Sequence, residues 1–278
     1  MLVISIQSQV VHGHVGNSAA VFPMQADGIE VAAVPTTLLS NHPHYPTMRG
    51  RVLDAELVGD LLQGVEERGL VERAAVLVTG YLGSPAIAET VHRFVLRALK
   101  RNPALIYVCD PVMGDSDLGV FVADGMLEVV RDQLVPLASV IAPNQFELGL
   151  LTGKPMIVEA DLLAAGAIIP ARIVATGCVF PDTPAGQLET VLCEAGSVTR
   201  IATPRLPIRP CGTGDLMTAL VAANLARGAA LETALSSAVR GTFAVLERTR
   251  DAGDHELRLL PAMSLRSGKQ VQHGHERS

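Results

Sequence analysis

The strongest constraint on this chain is an order that repeats along it: a short apolar run, a turn of Gly, Pro or polar residues, then a longer stretch with helical spacing. Apolar runs at residues 2–6, 30–36, 74–79, 105–109, 140–142, 172–176, 190–193 and 198–203 read as strands. Helical patterns lie at 55–68, 124–134, 215–227 and 231–247, and Ser84-Pro85 opens another helix with an N-cap and a first-turn proline, running to about residue 101. Strands that alternate with helices are βαβ units, and these build a parallel sheet covered on both faces. The expectation is an α/β fold of three layers, doubly wound, with a mostly parallel central sheet. No helix separates the runs at 190–193 and 198–203, so they predict an antiparallel hairpin closing one edge. With 278 residues and 49% hydrophobic composition, one large domain over residues 1–261 is expected. Apolar periodicity is lost beyond it, and residues 262–278 read as a disordered tail.

That fold makes a prediction about place. In an open α/β sheet, ligands bind outside the carboxyl ends of the strands. Ser8 and Gly13, Gly80-Tyr81, Asp110-Pro111, Pro143-Asn144 and Thr176-Gly177 all follow predicted strands, so they point at one rim. The most telling segment is Cys211-Gly212-Thr213-Gly214-Asp215, followed by the apolar stretch Leu216 to Val221. Two glycines around a small residue let backbone N–H groups approach a phosphate, and the helix behind them aims its positive end at the same spot. Asp215, expected at the first helical position, repels a phosphate but suits a general base for a hydroxyl attacking one. Its alternative reading is a plain N-cap.

Asp110 ends a buried strand, where a carboxylate either forms a turn with Pro111 or holds Mg²⁺ or its waters. In Pro143-Asn144-Gln145-Phe146-Glu147, Asn144 can cap a helix and Glu147 can complete a capping box. The residues alone favour that structural reading for both. The stretch Ser5 to Ser18 reads as a polar, glycine-containing loop that offers hydroxyl, amide and imidazole donors. The pairs His12/His14 and His42/His44 invite a zinc reading, but spacing of two in a loop is poor metal geometry and no cysteine cluster completes a site.

A net charge of -6 and the lack of a Lys/Arg cluster argue against nucleic-acid binding. An anionic substrate must then be held by local donors. No apolar stretch reads as a membrane span, and the start reads as a strand rather than a signal peptide. Cys109, Cys178, Cys193 and Cys211 are scattered without a Cys-x-x-Cys pair, which suits reduced thiols in a cytoplasmic protein.

Taken together, these segments resemble pyridoxal kinases of the ribokinase-like superfamily. The resemblance runs from Leu2 to about Leu246. It is carried by Ser8, Gly13 and Gly16-Asn17, by Phe22-Pro23, by Leu39-Ser40-Asn41-His42-Pro43-His44-Tyr45, by Gly80-Tyr81, by Cys109-Asp110-Pro111-Val112-Met113-Gly114-Asp115, by Ala142 to Glu147, and by Gly212 to Asp215, in the family's order. Gly-x-Gly-Asp alone marks the superfamily; the Ser-Asn-His segment with Gly-Tyr and Asp-Pro-Val-Met-Gly is more specific. What the resemblance implies is ATP-dependent phosphorylation of the 5′-hydroxymethyl group of pyridoxal. It places Ser8, Pro43, His44 and Tyr81 on the vitamin and makes Asp215 the base beside an anion hole of Gly212, Thr213 and Gly214. It turns Asp110, Ala142, Glu147 and Thr176 toward Mg-ATP, with Asp110, Asn144 and Glu147 at the metal through water, and sets Ile201, Ala202, Thr203, Pro204 and Ile208 around adenine. It also implies a homodimer and leaves room for a monovalent cation such as K⁺.

Some positions depart from the family's pattern. Pro43-His44 replaces the Thr-Gln or Thr-Gly of many members, and Gly177 replaces a polar residue beside Thr176. Ser116 to Val122, matching the family's flap, offers no basic residue and no tyrosine, and Val120 stands where some bacterial members carry a cysteine. Two other readings stay open: a related kinase for hydroxymethylpyrimidine, many of which carry cysteine at the position of Asp215, and a pyridoxal-phosphate carrier that has lost efficient turnover.

Overall fold

A computed structural model describes residues 1–259. The expected tail at 262–278 lies outside the described residues. The strands are β1 (Leu2–Val10), β2 (Glu30–Leu39), β3 (Gly50–Val52), β4 (Ala74–Thr79), β5 (Ile106–Cys109), β6 (Gly114–Asp115), β7 (Gly119–Val120), β8 (Val140–Ile141), β9 (Arg172–Cys178), β10 (Gln187–Glu194) and β11 (Ser197–Pro204). The helices are α1 (Asn17–Ala26), α2 (Ala55–Glu67), α3 (Leu70–Arg73), α4 (Pro85–Arg101), α5 (Met126–Val129), α6 (Gln145–Thr152), α7 (Glu159–Ile168), α8 (Thr213–Ala226) and α9 (Leu231–Asp251).

Nine strands form one sheet in the order β11-β10-β9-β8-β5-β4-β1-β2-β3, and β6 and β7 form a separate hairpin. Strands β2, β1, β4, β5, β8 and β9 are parallel. The expected antiparallel hairpin is β10–β11, paired from Glu194↔Ser197 to Gln187↔Pro204. Its two-residue turn, Ala195-Gly196, has positive φ at both positions (51° and 78°), the turn whose twist matches paired strands. Because β10 is antiparallel to both neighbours, β11 again runs with β9, and its carboxyl end returns to the rim where the parallel strands end.

Side chains alternate across the sheet, and that alternation builds the layers. On one face, Leu2, Ile4, Ile6 and Leu77 pack with α2 and α4 residues such as Val58, Leu62, Phe94 and Val95. On the other, Val3, Val76, Val78, Val108 and Val174 pack with Met24 of α1, Ala219 and Ala222 of α8, and Leu235 and Ala238 of α9. The three-layer, doubly wound expectation holds. Helix α8 is buried nearly all round, which explains its unbroken apolar sequence.

Three boundaries differ from the sequence reading. Strand β1 continues to Val10, so Ser8 lies inside the strand and not in a loop after it; the register against β2 skips it, passing from Gln7↔Pro35 to Gln9↔Leu38. The helix expected over 124–134 breaks into α5, a π-helical turn at Val130–Leu134 and a 3₁₀ turn at Val135–Leu137. Pro136 lacks the N–H an α-helix would use there. Helix α8 begins at Thr213 with Gly212 as N-cap, which puts Asp215 at the third helical position rather than the first.

A buried polar knot locks the start of β1 to α1. Ser5 Oγ donates to Asn17 Oδ1 (2.8 Å), Gln7 Nε2 donates to Ser5 Oγ (2.9 Å), and Asn17 Nδ2 donates to the carbonyls of Gln7 and Val34 (3.2 Å each). Replacing Asn17 strands several buried partners at once. Asn17→Ala is expected to cost about 2–4 kcal/mol, read as a lower urea midpoint with an unchanged slope. A loss within about 0.5 kcal/mol would show that water takes over the knot.

Candidate functional site

The carboxyl ends of β1, β2, β4, β5, β8, β9 and β11 meet the N-terminus of α8 along one rim, as the sequence predicts. Three acids converge there. Asp110 follows β5 and is 5% exposed; its N–H donates to the Thr79 carbonyl (2.9 Å) and its Oδ2 accepts from Thr218 Oγ1 of α8 (2.8 Å). Glu147 is 4% exposed. Its Oε1 accepts from the N–H groups of Met113 (2.9 Å) and Gly114 (3.3 Å), and its Oε2 accepts from Asn144 N–H (2.9 Å). Glu147 N–H donates to Asn144 Oδ1 (2.9 Å), so the capping box forms as the residues alone suggested. Asn144 Nδ2 donates to the Gly114 carbonyl (2.8 Å), tying the β6–β7 hairpin to α6. Asp215 keeps some exposed surface, but protein packs closely around its carboxylate.

Crowding sets the protonation of this group. Burial, then the charges of Glu147 and Asp215, push Asp110 well above the ordinary aspartate range, with the Thr218 hydroxyl opposing. Burial raises Glu147 to about 7, although three backbone N–H groups favour its charged form. Burial also raises Asp215, against the N–H groups of Gly16 and of Asp215 itself. No lysine or arginine is paired with any of the three among the described residues. Three oxyanions that repel one another and lack a protein cation form a donor set suited to a hard, oxygen-seeking ion. Asp110 and Glu147 fit Mg²⁺ on that ground; Asn144 has both side-chain atoms engaged in the cap and the hairpin, and fits only at the metal's water shell.

The N-terminus of α8 is shaped for close approach. Gly212 has φ 81°, and a Cβ there would land on the backbone of His14. At Gly214 a Cβ would meet nothing within 4 Å, which leaves open space over the helix end. Thr213 Oγ1 turns back to donate to the Pro210 carbonyl (3.0 Å). Thr176 lies inside β9, which runs on past the expected strand end to Cys178; its N–H donates to the Pro143 carbonyl (2.9 Å), and Ala142 precedes Pro143. Ile201, Ala202, Thr203 and Pro204 occupy the carboxyl half of β11, and Ile208 follows in the loop leading to Gly212.

On the other side, Ser8 is 6% exposed, and the tight turn at Gly16 lies against it. Tyr81 is half-buried, and its carbonyl accepts from Thr36 Oγ1 (2.7 Å). Pro43 and His44 are exposed on the loop after β2. His44 Nδ1 lies 3.1 Å from Cys211 Sγ, which joins this loop to the α8 cap.

Sequence reasoning missed two further contributors. Glu256, beyond α9, gathers the loops after β1 and β2: its Oε2 accepts from His14 N–H (3.0 Å), and its Oε1 meets His42 Nε2 (2.7 Å) and accepts from Tyr45 Oη (2.8 Å). Burial works to raise Glu256, but the hydrogen bonds from Tyr45 and His42 outweigh it and hold the carboxyl low. Arg209 pairs with Asp115 (3.3 Å) and with Asp117, giving the β6–β7 hairpin the basic residue its own sequence lacks. No periodicity announces partners that lie 90 or more residues apart in sequence; only an acid or base unexplained by its neighbours marks them.

A protein-family profile described as phosphomethylpyrimidine kinase matches residues 47–258. Pyridoxal kinase PdxY of Leifsonia xyli is 40% identical over 264 residues, covering 94% of this chain and 93% of that protein. The pyridoxine/pyridoxal/pyridoxamine kinase of Bordetella avium is 38% identical over 274 residues, covering 97% and 92%. Among solved structures, pyridoxal kinase from Leishmania donovani in complex with ADP and pyridoxamine matches with a TM-score of 0.83 at 30% identity, covering 92% of each chain.

The crowded acids predict an unusual pH response. Glu147, raised in the folded protein to about 7, binds more protons there than in the unfolded chain between its ordinary value of about 4.3 and 7. Stability contributed by this group is therefore full at low pH and falls as pH rises through that window. Metal-free protein is expected to lose Tm from about pH 4.5 to 7, and Asp110→Asn is expected to flatten that slope. Parallel slopes in the two proteins would show that the acids do not interact.

Proposed function

The chain belongs to the pyridoxal kinases, within the family described as phosphomethylpyrimidine kinase, and we infer that it transfers the γ-phosphoryl group of ATP to the 5′-hydroxymethyl group of a B6 vitamer with Asp215 as general base. The single observation that carries the role of Asp215 is its position: a carboxylate with a raised affinity for protons, in the first turn of a helix whose open N-terminus suits an anion.

Phosphoryl transfer requires little covalent help and much positioning. Asp215 holds the hydroxyl in line and takes its proton as the new O–P bond forms. The N–H groups at Gly212, Thr213 and Gly214 face the charge that develops on the transferred group and need no rearrangement at that moment. Mg²⁺ entering with ATP would neutralise phosphate charge, held by Asp110 and Glu147 through water with Asn144 at the water shell. Ala142 and Thr176 line the phosphate side; Ile201, Ala202, Thr203, Pro204 and Ile208 flank adenine at the end of β11. Ser8, Pro43, His44 and Tyr81 receive the vitamin. ADP, pyridoxamine and pyridoxine, named in the complexes of the Leishmania donovani enzyme, support both halves of this reading.

The reading carries a homodimer, supported by exposed Leu38, Met48, Val52, Leu57 and Leu61 on and beside the open β2–β3 edge. It carries a cytoplasmic setting as well, supported by four free cysteines and by the lack, among the described residues, of a helix able to cross a membrane. A monovalent ion such as K⁺ fits the same excess of negative charge. The description of the family profile, phosphomethylpyrimidine kinase, supports one alternative substrate class, a pyrimidine alcohol such as hydroxymethylpyrimidine.

The test is ATP- and Mg²⁺-dependent phosphorylation of pyridoxal, with hydroxymethylpyrimidine run beside it. Asp215→Asn is expected to keep ATP binding and lower kcat by at least ~10²-fold. Near-normal turnover would remove Asp215 from the mechanism, and a preference for the pyrimidine would reassign the substrate. Tight vitamin binding without turnover would make the chain a carrier. Gly214→Ala is expected to leave Tm unchanged and lower kcat by at least about tenfold, because the new methyl occupies the anion site.

A further inference from the structure

The pairing of histidines two apart looked barren in sequence for want of a cysteine. Folding supplies one. His42, His44 and Cys211 each offer a ligand atom, and the three atoms lie within 4.8 Å of one another. The nitrogens and sulfur of a tetrahedral zinc site stand about 3.5 Å apart, given metal–nitrogen and metal–sulfur bonds of about 2.0–2.1 and 2.3 Å. His44 Nδ1 already lies 3.1 Å from Cys211 Sγ, and His44 is exposed on its loop.

A second observation singles out this cluster. His42 is 6% exposed, and its Nδ1 is buried without a hydrogen-bond partner among the described residues. Its other nitrogen, Nε2, lies 2.7 Å from Glu256 Oε1. That contact places the ring proton on Nε2 and leaves Nδ1 as a bare, buried lone pair. A carboxylate on one imidazole nitrogen with a free lone pair on the other is the arrangement that orients a histidine toward a metal and strengthens it as a ligand. Glu256 and Asp215 add negative charge around Cys211, which favours a cation over an anion at this point.

We propose that His42, His44 and Cys211 form a site for one zinc ion, with Glu256 as the carboxylate behind His42. Two imidazoles and a thiolate leave a fourth position open to water, as in zinc sites with three protein ligands. On binding, Cys211 loses its thiol proton to solvent and the sulfur–zinc bond forms; nothing is oxidised or reduced. The site stands on the geometry of these side chains and not on the kinase reading, so each survives the failure of the other.

The experiment uses the full chain, reduced and stripped of metal, titrated with Co²⁺ as a spectroscopic stand-in and then with Zn²⁺. One equivalent of Co²⁺ is expected to produce a thiolate-to-cobalt absorption band that Zn²⁺ abolishes. Cys211→Ser should lack the band, and Glu256→Gln should weaken affinity about 10–100-fold. Zn²⁺ should also protect Cys211 of the unaltered protein from alkylation, read by mass spectrometry, which needs no variant to fold. Absence of the band in the unaltered protein, its persistence in Cys211→Ser, or equal alkylation of Cys211 with and without Zn²⁺ would each overturn the assignment.

Discussion

Three carboxylates in one buried crevice are the constraint on which the rest of this structure depends. Asp110, Glu147 and Asp215 repel one another, and burial strips them of the water that would screen them. Each is held in place by a different device. Asp110 hangs from the end of β5 and accepts from Thr218; Glu147 is gripped by three backbone N–H groups; Asp215 rides on the first turn of α8, where the helix dipole offsets its charge. The sheet brings these devices together because its parallel strands end at one rim, and the apolar body of α8 fixes its N-terminus against that rim. Among the described residues no lysine or arginine is paired with any of the three, so the crevice holds no cation of its own.

Around this centre, distant segments are tied by a few polar contacts. Glu256 joins the loop after β1 to the loop after β2, and Arg209 joins the β6–β7 hairpin to the loop before α8. Loosening either is a route to altered binding without any change at the reacting atoms.

The sheet, its two faces and its antiparallel edge were legible because period-2 and period-3.6 patterns survive in strands such as β4 and helices such as α4. The placing of Asp110, Asn144 and Thr176 on one rim followed from strand ends alone. Ser8 was misplaced because nothing in its polar neighbourhood signals that β1 runs on through an irregular register to Val10. Asp215 fell at the third rather than the first helical position because Gly212, not Asp215, caps α8. The break after α5 was hidden because its apolar spacing is helical while Pro136 forbids the regular hydrogen bonds. Glu256, Arg209 and the meeting of Cys211 with His44 were invisible in principle: side chains more than 90 residues apart carry no local pattern, and only the completed fold makes them neighbours.

The most direct test of this picture is an infrared titration of the metal-free protein, following the carbonyl stretch of protonated carboxyl groups. Ordinary aspartates and glutamates, with pKa values of about 3.9 and 4.3, have lost that band by about pH 6. The expected result is a carboxylic band that persists to about pH 7 and shrinks in the Asp110→Asn variant, because burial and mutual repulsion keep a proton within the group. Full ionisation of every carboxyl group by about pH 6 would contradict it, and would mean that solvent reaches the crevice freely.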